Sequence, residues 1–182
     1  MFYQDILTAV FAFIGTNLDD IVLLGVLFMR ENKANHKIIA AGQLSGIWIL
    51  TQISVCAAFG LQLFSPEIVH YSGVIPIVLG VMYFLKTTPE NTQKPLLSFW
   101  SMTGLTVANG SDNIGVYTAL FSIRPPSFRI TATIVFTIMT VLLCYLGYLA
   151  GKCPKLKSFI SRHCRLIVPA VLIAIGLKIL FS

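Results

Sequence analysis

Charge is what this chain has least of. Of its 182 residues only 11% are Asp, Glu, Lys or Arg, against about 25% in a soluble domain. With 56% hydrophobic residues and a mean hydropathy of +0.83, that scarcity excludes an ordinary water-soluble globule and points to an integral membrane protein. Cysteine is equally thin. Cys56, Cys144, Cys153 and Cys164 form no C-x-x-C and match no structural zinc spacing, so reduced, unpaired thiols are expected. Histidine is limited to His36, His70 and His163, all in stretches that read as solvated or headgroup-facing loops. No segment is of low complexity. The first apolar stretch lacks a basic leader and a small-residue cleavage site, so it is expected to remain as a span and not to be removed as a signal peptide.

Long apolar runs are what the chain does have. They predict helices at about residues 6–29, 38–61, 72–85, 98–121, 129–150 and 166–181, with turn-rich, charged connections at 30–37, 65–67, 86–91, 124–126 and 151–155. At roughly 20 residues per span, six helices fill the length and leave no room for a soluble domain. The third is short, which suggests tilt or partial re-entry. The net charge of +6 does not indicate nucleic acid, because the basic residues lie in the short loops. Loops after the odd-numbered helices carry Arg30, Lys33, Lys37, Lys86, Lys94, Lys152, Lys155, Lys157, Arg162 and Arg165; the other side has Arg124, Arg129 and Lys178. This asymmetry puts both termini outside and the odd-numbered loops in the cytoplasm.

A shift of 93 residues lays Asp19-Asp20-Ile21 on Asp112-Asn113-Ile114, Leu27-Phe28 on Leu120-Phe121, and Val74-Ile75-Pro76 on Ile167-Val168-Pro169. One offset thus matches helix 1 to helix 4 and helix 3 to helix 6. Three helices per half is an odd number, so the second half (91–182) enters the bilayer opposite to the first (1–90). The expected fold is an all-α membrane domain of six helices arranged as a 3+3 inverted repeat, a plan whose sites lie near the midplane.

Asp19, Asp20 and Asp112 are among only seven acidic residues, yet they interrupt helix-length apolar stretches. A charge at the bilayer centre costs about 2.5–3.5 kcal/mol on insertion scales, so these need a compensating partner. Under the offset Thr16, Asp19 and Asp20 match Asn109, Asp112 and Asn113, each set spaced i, i+3, i+4 on one helical face. Two such stripes meeting at an axis supply four to six oxygens, which suits a divalent cation. Asn, Ser or Thr could hold helices together without ionising, so carboxylates with no Lys or Arg in the same stretch are poor glue. Crowded carboxylates repel, and a metal ion and a proton therefore compete for them, which predicts cation/proton exchange.

Other residues are placed around that site. Gly110 would allow local unwinding beside it, and Gly15 the same in helix 1. Tyr117, four residues after Asn113, extends the polar stripe, and Asn17 is a supporting residue on the substrate path. Gln43 lies in Gly42-Gln43-Leu44-Ser45-Gly46, where small residues four apart permit close packing and the glutamine could line an entry path. Pro76 and Pro169 are expected hinges. Cys56 and Cys144 do not match under the offset; small core residues are the simpler reading, with metal contact left open.

At these motifs the chain resembles the cadmium-resistance transporter family (CadD type) of the lysine-exporter superfamily. The matching residues are Gly15 to Asp20 in helix 1, Gly42-Gln43 in helix 2, Val74 to Gly80 in helix 3, and Asn109-Gly110-Ser111-Asp112-Asn113-Ile114-Gly115-Val116-Tyr117 in helix 4. The likeness covers nearly the whole chain. It implies a bacterial cytoplasmic-membrane protein that exports a divalent metal through the Asp-bearing stripes, with no enzymatic step and no resident cofactor. A homodimer is compatible with it. Helix 2 departs from the pattern, with Leu44-Ser45 where Tyr-Leu is expected, so an aromatic role is absent there. Cadmium is soft whereas the inferred ligands are oxygens, which suit Mn²⁺, Mg²⁺ or Ca²⁺ better; Zn²⁺ and Mn²⁺ stand beside Cd²⁺ as expected cargoes. Two other functions would use the same helices. An exporter of amino acids or cationic amines would set aromatics around an ammonium, and helices 1 and 4 offer only Phe13 and Tyr117. A membrane thiol-disulfide oxidoreductase would need paired reactive cysteines where this chain has Asp.

Overall fold

The computed structural model describes residues 2–63, 71–85 and 98–181, and among these every regular element is a helix. The expected connections at 65–67 and 86–91, with His70, lie outside the described residues. In order the elements are α1 (Phe2–Asn17), α2 (Asp20–Arg30), a short 3₁₀ turn (Lys33–Asn35), α3 (His36–Leu61), α4 (Val74–Leu85), α5 (Phe99–Asn109), α6 (Ser111–Ile123), α7 (Pro126–Lys152) and α8 (Pro154–Leu180). Local chemistry sets several starts. Ser98 and Ser101 exchange hydroxyl-to-backbone bonds of 3.1 and 2.9 Å at the head of α5, a reciprocal cap. Pro126 and Pro154 open α7 and α8, where the missing N–H has no intrahelical acceptor to lose.

Among the described residues two helices, Lys33–Leu61 and Pro126–Lys152, can cross a membrane by length and composition, and the bent pair Tyr3–Asn17 with Asp20–Arg30 makes a third if taken as one span. On α7 Ile130, Ile134, Ile138, Val141 and Tyr145 form an apolar face that the described residues leave largely uncovered, as expected of a surface solvated by lipid.

The expected single helices 1 and 4 are both broken. Helix 1 bends by 61° between Asn17 and Asp20, and helix 4 is interrupted at Gly110, whose φ of −90° and ψ of 27° leave the helical range. Gly15, by contrast, stays helical and lies under Val171: a Cβ there would come within 2.7 Å of its side chain. The sixth helix starts at Pro154 and not at 166, so the stretch bearing Lys155, Lys157, Arg162 and Arg165 is helical. Hydropathy cannot reveal a helix whose residues are basic. His36 opens α3 with its ring edge-on to Phe28, and His163 lies within α8.

The most extensive packing joins α4 to α8, α2 to α7, and α3 to α5 and α6; α1 packs on α7 and α8. Each of these interfaces unites a helix from residues 1–90 with one from 91–182, so the two halves interleave. Glycine permits the closeness. A Cβ at Gly46 would fall 2.4 Å from the Thr106 Cβ, and one at Gly151 would fall 2.6 Å from the Gly25 carbonyl oxygen. In membranes, where lipid tails are as apolar as leucine, such close packing is the main source of helix association.

Candidate functional site

The two helix breaks fall at adjacent positions under the 93-residue offset, since Leu18 lies on Ser111 beside Gly110. Each break creates a helix start inside an apolar stretch, and each start carries an acid in its first turn: Asp20 in α2 and Asp112 in α6. The partial positive charge of a helix N-terminus favours a carboxylate there by about 0.3–1 kcal/mol.

Asp20 is buried and doubly held. Gln43 Nε2 donates to its Oδ2 at 3.0 Å, and Asn109 Nδ2 donates to its Oδ1 in a short hydrogen bond. Thr106 then fixes the glutamine, its hydroxyl donating to Gln43 Oε1 at 2.8 Å so that the amide nitrogen faces Asp20. Gly42 and Gly46 bring α3 close enough to α5 for this chain of contacts to form. Gln43 is therefore a partner of Asp20 itself, deeper than the entry-path position expected for it. Asp19 and Asp112 are half-buried, and their negative charge acts on Asp20. Asn109 is half-buried as well.

A neutral layer adjoins this acidic one. Asn113 Nδ2 donates to Asn17 Oδ1 at 2.9 Å, while Asn17 Nδ2 donates to the Tyr117 hydroxyl at 2.8 Å. Thr16 shares that hydroxyl at 2.9 Å. All four side chains are buried, and Asn113 Oδ1 is a buried acceptor with no hydrogen-bond partner among the described residues. Burying such a group unpartnered costs about 1–3 kcal/mol.

Asp20, Gln43 and Asn109 thus meet in one hydrogen-bonded group, and Thr16, Asn17, Asn113 and Tyr117 in another. In this conformation, among the described residues, no three His, Cys, Asp or Glu side chains are placed to hold one ion; the oxygens are shared between carboxylates and amides. Thr106 was missed from sequence. It lies three residues before Asn109 on α5, and the 93-residue offset lays it on the apolar Phe13, so the repeat carries no signal for it.

The two prolines differ. Pro169 lies inside α8, and its carbonyl oxygen packs against Gly80 of α4. Pro76 is in the first turn of α4, where its missing N–H breaks no helical bond, so it does not kink that helix.

A family model described as cadmium resistance transporter (Cad) matches residues 13–182, nearly the whole chain. The chain belongs to the cadmium resistance transporter family. No curated protein and no solved structure matches it. Membership makes the chain a membrane transporter, in keeping with its apolar helices. In this cadmium resistance transporter Cys56 is exposed, Cys144 is buried, and Cys153 is exposed; none is in a disulfide. Cys144 is part of the buried face of α7, whereas Cys56 lies on the exposed side of α3.

Proposed function

We infer that this chain exports a divalent metal cation across the bacterial cytoplasmic membrane in exchange for protons, using the Asp and Asn side chains at the two helix breaks. The observation that carries the reading is Asp20, a carboxylate buried at a helix start with Gln43 and Asn109 donating to it and two further acids acting on it. Amide donors occupy both of its oxygens, so in the absence of cargo the charge is held by groups that can turn away. A cation arriving between α2 and α5 takes over the carboxylates of Asp19, Asp20 and Asp112 and the amide oxygens of Asn109 and Asn113. The unpartnered Asn113 Oδ1 is an acceptor already waiting for a positive partner. Protons that replace the cation neutralise the same carboxylates and allow the empty protein to reset.

The broken helices and the interleaved halves support six spans in a 3+3 inverted repeat, the design in which discontinuous helices meet cargo at the midplane. Both termini lie outside in this scheme. Movement centres on α8 at Pro169 and on the start of α4, the two helices that pack most closely. A thiol-disulfide oxidoreductase is disfavoured, because Cys56 is exposed, Cys144 is buried and, among the described residues, no disulfide joins the thiols, while the matched positions at the breaks carry Asp. In cells lacking their own exporter, the wild-type chain should lower cytoplasmic cadmium, while Asp19→Asn and Asp112→Asn should each leave it at the empty-vector level with normal membrane abundance. Wild-type export by either variant, measured by metal content per cell, would remove that residue from the site.

A further inference from the structure

On the far side of the neutral layer the path between α1 and α6 is closed twice. The first closure is aromatic. Tyr117, whose hydroxyl meets Thr16 and Asn17, stacks on Phe136 at 4.4 Å between centroids, and Phe136 meets Phe13 at 5.7 Å. Phe121 continues the layer, 6.3 Å from Tyr117 and 6.0 Å from Phe128. These five rings come from α1, α6 and α7 and are at most 1% exposed.

The second closure is ionic and lies above the rings. Arg124, just past the end of α6, pairs with Asp5 in the first turn of α1 at 3.0 Å and caps the Phe128 ring at 5.5 Å. Thr8 Oγ1 accepts from Arg124 Nη2 at 3.4 Å and from Lys178 Nζ of α8 at 3.2 Å. Three helices are thus tied at one end, about 18 Å along α1 from Asn17 by helical rise. The opposite side is less sealed, since Asp19, Asp112 and Asn109 all keep partial exposure.

We propose that the Asp5–Arg124 pair, with Thr8 and Lys178, is the latch of a gate whose body is the Phe13, Tyr117, Phe121, Phe128 and Phe136 layer, closed in this conformation. The proposal rests on the transport reading above, because it places the cargo path between α1 and α6. Charge favours such a latch: the pair is only partly exposed, so opening the end must separate Asp5 from Arg124 in a setting where water replaces little of the lost attraction. Once parted, Asp5 offers a departing cation a carboxylate, and Arg124 and Lys178 discourage its return.

The test follows gate closure and contains no metal. With the four cysteines changed to serine, Ala12→Cys puts one thiol on α1 at a fully buried position beneath the latch. In nanodiscs its labelling by a water-soluble maleimide should be slow, and Asp5→Asn or Arg124→Gln should speed it about tenfold by shifting the closed population. The exchange Asp5→Arg with Arg124→Asp should restore slow labelling, showing that pairing matters and that the fold survives. Unchanged labelling in the single variants, or an exchange as open as they are, overturns the gate. A chain that moves no metal yet gives the expected labelling would refute the cargo and keep the gate.

Discussion

Asp20→Asn is expected to reduce metal export to background without unfolding the protein. Both oxygens of Asp20 accept from amide nitrogens, Gln43 Nε2 and Asn109 Nδ2. An asparagine would present an NH₂ to one of these donors. Gln43 can relieve that clash by turning its amide over, because the Thr106 hydroxyl that now donates to it can equally accept. Helix packing therefore survives and the charge does not. Hydrogen bonds to charged groups contribute about 1.5–3 kcal/mol, and the cation loses its most enclosed carboxylate as well. Loss of a charge-assisted contact of that size, about 1.5–3 kcal/mol, lowers metal affinity roughly 10- to 150-fold. Isothermal titration on purified protein, alongside export in cells, checks it; unaltered affinity would mean that Asp20 serves only to join α2 to α3 and α5.

The largest effect on stability is expected from Gly176→Leu. A Cβ at Gly176 would lie 2.4 Å from Ile77 Cγ1 and 2.6 Å from the Gly73 carbonyl oxygen. The second contact is backbone, which no rotamer change can relieve, so α4 and α8 must separate. Overpacking costs about 1–3 kcal/mol, which for a chain of this size lowers Tm by about 2–12 °C. Gly60→Leu and Gly104→Leu are the controls. Among the described residues nothing lies within 4 Å of a Cβ at either, and both positions are exposed, so their melting should match the wild type. Equal melting of all three variants in a detergent thermal-shift assay would mean that the α4–α8 contact contributes little.

The sequence and the structure agree best where hydrophobic runs and polar interruptions carry the signal. Apolar length marks the helical stretches, and of the two matched sets the fold joins Asn109 to Asp20, while Asn113 bonds Asn17 beside Thr16. Three kinds of feature stayed hidden, each for a physical reason. The break at Leu18 stays hidden because hydropathy averages across it, whereas the break in helix 4 falls at Gly110, the residue read from the sequence as a point of local unwinding. The basic turns of α8 read as loop because a charged helix has no apolar period. Long-range pairings leave no local trace: Asp5 meets Arg124 across 119 positions, and Thr106 meets Gln43 across 63. The interleaving of the halves is of the same kind, since an offset equates helices without saying which of them touch.

The central claim is that the carboxylates at the helix breaks exchange a divalent cation for protons. Its most direct test is proton flux in proteoliposomes under imposed gradients of Cd²⁺, Zn²⁺, Mn²⁺, Mg²⁺ and Ca²⁺, with Asp20→Asn in parallel. At least one of these ions should drive protons in the opposite direction through the wild-type protein, and none through the variant. Folded wild-type protein that moves no protons with any of the five ions, or a variant that matches the wild type, would contradict it.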